Sequence, residues 1–235
     1  MMTLTRYGIR EWGGGGLIAL ILLAAFLYIA WRWMPWTGSI LAAIVVILYV
    51  ALAAFFRSPS RTIPADPALI VSPADGIVKD IEVVEDFKQE PFEGRALRIG
   101  IFLSVFNVHV NRAAADWSVV SKHYREGRYL DARDPNCARE NEAMTLAGWA
   151  RAGERKFPLA IRQISGAIAR RIVCPAEPGN KYRKGAIYGM IKFGSRTELY
   201  LPADDDFAVT VKVGDRVYAG ETVMARLNQP LPDRN

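Results

Sequence analysis

Two long apolar runs occupy the first 56 positions of the chain. From Gly13 to Trp31 and from Trp36 to Phe56 the sequence contains no charged residue. A hydrocarbon core about 30 Å thick requires roughly 20 helical residues, and each run is that long. The turn between them carries three Trp and Pro35, which is typical of a membrane interface where a helix stops. We therefore predict a membrane anchor over residues 1–57, with two transmembrane helices near 13–31 and 36–56.

The arginines around these runs predict an orientation. Arg6 and Arg10 precede the first run, and Arg57 and Arg61 follow the second, against a single arginine in the turn. Positive loops stay in the cytoplasm, so both ends of the hairpin are expected there, with the rest of the chain facing the cytoplasm from the cell membrane. A cleaved signal peptide is disfavoured by the length, the second run and the missing small-residue cleavage site. One span or a buried helical pair remains an alternative.

Beyond the apolar runs, hydrophobic residues recur with a period of two. A turn-rich stretch at 58–67 predicts a linker, and residues 68–235 are expected to form the second domain. Alternation over 97–103 and 207–213 is typical of half-buried strands. Helical periodicity is almost absent after residue 57. The expected fold is therefore mainly antiparallel β, a barrel or sandwich-hybrid domain preceded by the transmembrane helical hairpin.

Other segments share the strand pattern: 77–84, 117–124, 143–149, 157–164, 167–173 and 186–201. The stretch 211–222, with Gly214-Asp215 and Ala219-Gly220 as tight turns, resembles the hammerhead turn of biotinyl and lipoyl domains. It lacks the carrier lysine motifs of those domains. This resemblance therefore concerns folding rather than a swinging arm.

Charge and cysteine content narrow the functional classes. The formal net charge of +6 is not large enough to indicate a nucleic-acid partner. It fits an anionic lipid surface, or simply a solvated protein surface. Cys137 and Cys174 have no C-x-x-C spacing and only two histidines accompany them, so we expect no metal site. Two thiols suit a reducing cytoplasm, although the sequence leaves a single disulfide open.

Three short segments carry residues capable of chemistry, yet each is ordinary by itself. In 192–197, Gly194 and Ser195 interrupt an apolar strand pattern, which usually marks a bulge. In 104–112, His109 ends a strand, and a histidine titrates near neutral pH. In 72–76, Asp75 and Gly76 form a turn of the kind that opens hairpins.

Taken together and in this order, the segments resemble the phosphatidylserine decarboxylase family in its short form. The resemblance rests on Ser72-Pro73-Ala74-Asp75-Gly76, on the run from Phe102 to Arg112, on Gln163-Ile164-Ser165-Gly166 followed by Ala169-Arg170-Arg171, and on Phe193-Gly194-Ser195-Arg196. These motifs span residues 70–202. Glu140-Asn141-Glu142 also resembles a family segment, and the sequence offers no physical account of it.

The resemblance implies a proenzyme that cuts itself between Gly194 and Ser195. Ser195 then becomes a covalent pyruvoyl group, the cofactor, and the two cleavage chains form a heterodimer. The pyruvoyl ketone captures the amine of phosphatidylserine and accepts electrons as carbon dioxide leaves, giving phosphatidylethanolamine. The partners implied are this lipid substrate and the bilayer, with no nucleic acid.

The resemblance also implies roles for individual side chains. His109 would be the base that activates the Ser195 hydroxyl, and Asp75 would orient it, as in a Ser-His-Asp arrangement. The larger bacterial form has two histidines three residues apart, whereas Phe106 and Arg112 flank His109 here, so His109 would serve maturation, catalysis or both. Cationic candidates for binding the phosphate or carboxylate are Arg112, Arg170, Arg171 and Lys192. A surface charge role is the alternative for each of them and is favoured for Arg171.

Two other functional classes compete with the decarboxylase. A membrane-tethered serine hydrolase would use an uncleaved Ser195, but the segment Phe193-Gly194-Ser195-Arg196-Thr197 lacks the second glycine of a G-x-S-x-G elbow. A non-enzymatic hybrid-barrel scaffold would leave the Gly-Ser pair without a purpose. Intact mass separates the decarboxylase from the other two classes, because only the decarboxylase is cut before Ser195.

Overall fold

A computed structural model describes residues 2–131, 134, 136–167, 171–192 and 195–228. The chain divides into two compact units, one ending at Ser60 and the other beginning at Arg61. Each is described separately below.

The first unit is a helical hairpin closed by a short ladder. Its elements are β1 (Met2–Leu4), a single 3₁₀ turn (Arg6–Gly8), α1 (Ile9–Arg32), α2 (Pro35–Phe55) and β2 (Arg57–Pro59), with β1 antiparallel to β2. The helices pack closely at Gly38, where a Cβ would lie 2.4 Å from the backbone nitrogen of Ala30. Both helices are long and apolar enough to cross a membrane. Helix α1 begins earlier than the uncharged run, because Arg10 and Glu11 extend its first turn without interrupting it.

The second unit is built almost entirely from antiparallel strands. They are β3 (Leu69–Val71), β4 (Gly76–Gln89), β5 (Phe92–Leu103), β6 (Val110–Arg112), β7 (Asp116–Arg125), β8 (Ala143–Ala152), β9 (Arg155–Ser165), β10 (Arg171–Val173), β11 (Lys181–Tyr182), β12 (Ile187–Lys192), β13 (Ser195–Pro202), β14 (Phe207–Val209), β15 (Arg216–Val217) and β16 (Val223–Leu227). One short helix, α3 (Cys137–Glu140), occurs among the described residues of this unit. The prediction of a mainly antiparallel β domain preceded by an apolar helical hairpin is confirmed.

The strands form one large curled sheet and two small ones. The large sheet has the order β11-β7-β8-β9-β13-β5-β4-β15, and the small sheets are β10-β12-β6 and β14-β16-β3. The main core contains buried residues from all three sheets, such as Leu199, Tyr188 and Met224. Burial of these side chains is the principal stabilising term for the unit.

Two predicted strands differ from those observed, and residues 168–170 of a third, 167–173, lie outside the described residues. The stretch 186–201, expected as one strand, contains β12 and β13, which belong to different sheets. The stretch 207–213 forms a strand only over Phe207–Val209, because the Lys212 backbone N–H donates to Asp215 Oδ2 at 3.0 Å and the chain turns there.

Candidate functional site

Ser195 is the first residue of β13 and lies in the middle of the large sheet. Its backbone is paired with Leu103 of β5 on one side and with Ser165 of β9 on the other. Side chains alternate along a strand, so Ser195 shares a face with Leu199 and Leu201, both of which belong to the main core. The residue is fully buried, and Oγ has no hydrogen-bond partner among the residues that the structure describes. A buried hydroxyl in this state calls for an explanation, because most buried polar atoms are satisfied.

His109 lies just before β6 and is fully buried. Its backbone carbonyl accepts a hydrogen bond from Ile191 N at 3.1 Å, which ties it to β12. Its Nδ1 is 2.9 Å from the carbonyl oxygen of Asn107. A carbonyl can only accept, so Nδ1 carries the proton in this bond and Nε2 is the basic nitrogen of the neutral ring. The local backbone thus selects the tautomer.

Asp75 is buried in the 72–76 turn and is held by two donors. Its Oδ1 accepts from the backbone N–H of Ala219 at 2.8 Å, and its Oδ2 accepts from Arg61 Nη2 at 2.7 Å. Arg61 also donates to Glu221 Oε2 at 2.8 Å, so one guanidinium bridges two carboxylates. Sequence reasoning placed Arg61 in the linker and missed this contact. The only signal was a lone cation in a turn-rich segment.

Asn111 connects the three predicted segments. It is fully buried, and its Nδ2 donates to Thr197 Oγ1 at 3.1 Å and to Pro73 O at 3.4 Å. Its Oδ1 accepts from Gln163 Nε2 at 2.8 Å. Asn111 follows His109 by two residues, and Thr197 follows Ser195 by two, so this amide brings the histidine strand, the serine strand and the aspartate turn to the same end of the core. The sequence motif contained Asn111 but did not indicate this role.

The segment Glu140-Asn141-Glu142 supports the backbone opposite Ser195. The buried Asn141 amide donates to Ser165 O at 2.8 Å and to Leu130 O at 2.9 Å, and it accepts from Leu130 N at 2.8 Å. The carbonyl of Glu142 accepts from Ser165 N at 3.0 Å and from Ser165 Oγ at 3.2 Å. Since Ser165 pairs with Ser195, the segment fixes the strand edge against which the serine lies.

Two of the predicted substrate-binding cations are buried in the second unit. Arg112 is 9% exposed and donates from Nη1 to Gly185 O at 2.8 Å. Burial lowers the pKa of Arg112, and the neighbouring Arg61 lowers it further. Lys192 is 5% exposed and ends β12, whereas its strand partner Arg171 is exposed on the surface. Arg170 and Gly194 lie outside the described residues.

Charged side chains fill the other face of the sheet behind Ser195. Glu198 is fully buried and accepts from Arg196 Nε at 2.9 Å, and Arg196 Nη2 donates to Asp80 Oδ1 at 2.7 Å. Burial alone would lower the pKa of Arg196, but the two carboxylates outweigh it and the pKa is raised. Gly100 makes room for this guanidinium, because a Cβ there would lie 2.2 Å from Arg196 Nη2.

Comparison with known proteins decides the family. A sequence model of the phosphatidylserine decarboxylase family matches residues 48–225. The chain belongs to the phosphatidylserine decarboxylase family. A phosphatidylserine decarboxylase proenzyme from Rhodopirellula baltica is 42% identical over 219 residues, covering 91% of this chain and 85% of that protein. Proteins of the same name from Trichlorobacter lovleyi and Pelobacter propionicus are 45% and 46% identical, covering 79% and 74% of this chain and 81% and 75% of those proteins.

Membership of the phosphatidylserine decarboxylase family makes this chain an enzyme and rules out the scaffold interpretation. The family match includes Asp75, His109 and Ser195. Asp75 directly precedes β4 and Ser195 begins β13, at the same end of the large sheet. His109 is linked to that end through Asn111, which donates to Thr197.

Proposed function

We propose that this protein decarboxylates phosphatidylserine to phosphatidylethanolamine with a pyruvoyl group that it makes from its own Ser195 after self-cleavage at Gly194-Ser195. The observation that carries the proposal is the Ser195 hydroxyl, which is fully buried and without a hydrogen-bond partner among the described residues. A hydroxyl in this state suits a nucleophile that is lost when the residue becomes the pyruvoyl group. The relatives are named proenzymes, which also supports a cleavage step.

Self-cleavage needs only groups of the chain and one water. Ser195 Oγ attacks the carbonyl carbon of Gly194 while His109 Nε2 takes the hydroxyl proton, and the amide nitrogen of Ser195 leaves to give an ester. Loss of the Cα proton then breaks the bond between Cβ and Oγ, which releases Gly194 as a carboxylate and leaves dehydroalanine. Water replaces the nitrogen of dehydroalanine, ammonia departs, and a pyruvoyl group remains.

The tautomer of His109 supports the base that we propose. The Asn107 carbonyl accepts the Nδ1 proton of His109, so Nε2 is the nitrogen that would take the hydroxyl proton. Asp75 is the proposed carboxylate that stabilises the positive ring, and Arg61 and the Ala219 N–H fix the position of that carboxylate. The carbonyl of Asn107 accepts the hydrogen bond of His109 Nδ1, which in a Ser-His-Asp triad is accepted by the aspartate.

In the decarboxylation step, the chain binds the lipid and supplies protons. Once formed, the pyruvoyl group would accept the electrons of the carbon–carbon bond that breaks as carbon dioxide departs. Arg112 and Lys192 are the proposed partners for the phosphate or carboxylate of the substrate, together with Arg170. His109 is the proposed donor of the proton that replaces the lost carboxyl group, which would give one histidine two successive tasks.

The first unit is proposed as the membrane anchor over residues 1–57, joined by the linker 58–67 to the catalytic domain 68–235. Its helices have 24 and 21 residues and display exposed apolar side chains over most of their length. The arginine distribution favours a cell-membrane location with both ends in the cytoplasm. After cleavage the enzyme would be a heterodimer of its own two chains.

Intact-mass analysis of the purified protein tests the proposal. We expect a large chain ending at Gly194 and a 41-residue chain, 195–235, whose blocked N-terminus is lighter than serine requires. Ser195→Ala should remain one chain without decarboxylase activity, whereas the control Ser118→Ala should be cut and active. Decarboxylase activity in a single unbroken chain that retains Ser195 as serine would refute the mechanism.

A further inference from the structure

The loop between β5 and His109 exposes two apolar side chains at its tip. Phe106 is 83% exposed and Val105 is 39% exposed, whereas Leu103 and Val108 on either side are buried. We call Val105 and Phe106 the apolar tip. Single exposed apolar residues are ordinary, whereas adjacent ones at the tip of a loop form a candidate surface for an apolar partner.

The apolar tip is held in a defined shape. Asn107 Oδ1 accepts hydrogen bonds from Ser104 N at 2.9 Å and from Ser104 Oγ at 2.8 Å, and Asn107 N donates to Ser104 O at 2.9 Å. The same Asn107 offers its carbonyl to His109 Nδ1. The tight turn therefore presents Phe106 outward and, through the next residue, positions the imidazole of His109.

The apolar tip lies at the same end of the large sheet as Ser195. Leu103, which ends β5, pairs with Ser195, and the neighbouring β4 begins at Gly76, which pairs with Val217 of β15. Tyr218, directly after Val217, is 42% exposed, and Arg216 on its other side is exposed as well. Exposed Phe, Tyr and Arg side chains at one end of a sheet are the types found where proteins contact lipid head groups.

We infer that the apolar tip inserts into the surface of a lipid bilayer and sets the Ser195 end of the sheet at the level of the head groups. The inference rests on the proposed function, because a lipid substrate must be reached at the bilayer. Insertion removes the Phe106 ring from water, while Tyr218 and Arg216 remain at the polar boundary. The alternative is that a second copy of the chain, rather than the bilayer, covers the apolar tip.

Depth-dependent quenching tests insertion directly. The full-length chain carrying Phe106→Cys is labelled with a polarity-sensitive fluorophore and placed in nanodiscs that contain phosphatidylserine and one copy each. Val83→Cys is the matched control, since Val83 is 45% exposed and pairs with Leu97, six residues from Leu103 and about 20 Å along β5. The wild-type chain, treated in the same way, gives the background from Cys137 and Cys174.

The inference predicts that nitroxide-labelled acyl chains quench the probe at 106 and not the probe at 83, with a blue shift only at 106. Equal quenching at both positions, or none at 106, would overturn it. Protection of position 106 that appears only with two copies in a disc would assign the tip to a dimer contact instead and would also overturn it.

Kinetics provide an independent arm. We expect Phe106→Ser to be cut before Ser195 at the wild-type rate, and to be at least roughly tenfold slower on bilayer phosphatidylserine, a loss of about 1.4 kcal/mol. On monomeric short-chain phosphatidylserine it should match the wild type, and Phe106→Leu should retain most of the bilayer activity. If the wild type is not cut, the proposed function fails. If the wild type is cut and Phe106→Ser equals it on both substrates, the inference fails alone.

Discussion

Replacing Asn141 by alanine should destabilise the second unit more than any exposed asparagine replacement. The side chain is fully buried and makes three hydrogen bonds to backbone groups, two with Leu130 and one with Ser165 O. Each buried hydrogen bond contributes about 1 kcal/mol net. Leu130 is partly exposed and can turn to water, whereas Ser165 is fully buried and cannot. We therefore expect a loss of about 2–3 kcal/mol in the free energy of unfolding.

Thermal unfolding in detergent, followed by near-ultraviolet circular dichroism, measures this loss. Ser195→Ala is the background, so that every sample is one unbroken chain. For a unit of this size, 1 kcal/mol corresponds to about 2–4 °C, so the midpoint should fall by roughly 4–12 °C. The matched control is Asn180→Ala, whose exposed amide accepts from Glu177 N at 3.0 Å. Its shift should stay below about 2 °C, because water can replace the lost contact.

Equal midpoints for Asn141→Ala and Asn180→Ala would show that the Ser165 carbonyl finds another donor and that the reasoning from burial is wrong. A large shift accompanied by loss of native near-ultraviolet signal at low temperature would point instead to a local collapse. That outcome would also contradict the hydrogen-bond account.

Three further predictions follow from the contacts around the site. Arg61→Gln should slow the appearance of the 41-residue fragment by roughly tenfold or more. Arg61→Lys should be intermediate, because it keeps the charge but cannot bridge Asp75 and Glu221. A wild-type rate for Arg61→Gln would contradict this. In the uncleaved Ser195→Ala background, Arg196→Met should lower the free energy of unfolding by about 3–5 kcal/mol, because the buried Glu198 carboxylate loses the guanidinium that donates to it. Adding Glu198→Leu should restore more than half of that loss. A double variant no more stable than Arg196→Met alone would contradict the ion-pair account. Burial raises the pKa of Cys137 and of Cys174 to about 11. Near pH 8, iodoacetamide should therefore alkylate the native thiols roughly a hundredfold more slowly than unfolded ones, and the rate should rise as the pH approaches that pKa. Fast alkylation of the native protein at pH 8 would contradict this.

Strand periodicity identified the buried residues of β5, although it failed at Val213, which is exposed beyond the end of β14. Leu97, Ile99, Ile101 and Leu103 alternate in the sequence, and the last three are fully buried on the inner face of β5. Periodicity does not encode the pairing partner, however. Residues 186–201 look uniform in sequence, yet β12 pairs with β6 and β10 while β13 pairs with β5 and β9.

Site residues that belong to a short sequence motif could be predicted. The roles that depend on contacts between distant residues could not. Ser195, His109 and Asp75 came from the order of short motifs. The contact of Asn111 with Thr197 joins residues 86 positions apart, and a sequence pattern cannot encode it. The carbonyl of Asn107 was equally invisible, because every residue has one and only the turn from Ser104 directs it at the imidazole of His109.

The place of Ser195 as the first paired residue of β13 has a consequence for the mature enzyme. A break before Ser195 would leave the ladder intact, with β13 still clamped between β5 and β9, both of which lie in the other polypeptide. The short piece could not diffuse away unless the sheet itself were pulled apart. Proteolysis at this point would therefore be an assembly step, which creates a chain terminus inside the protein interior and keeps it there.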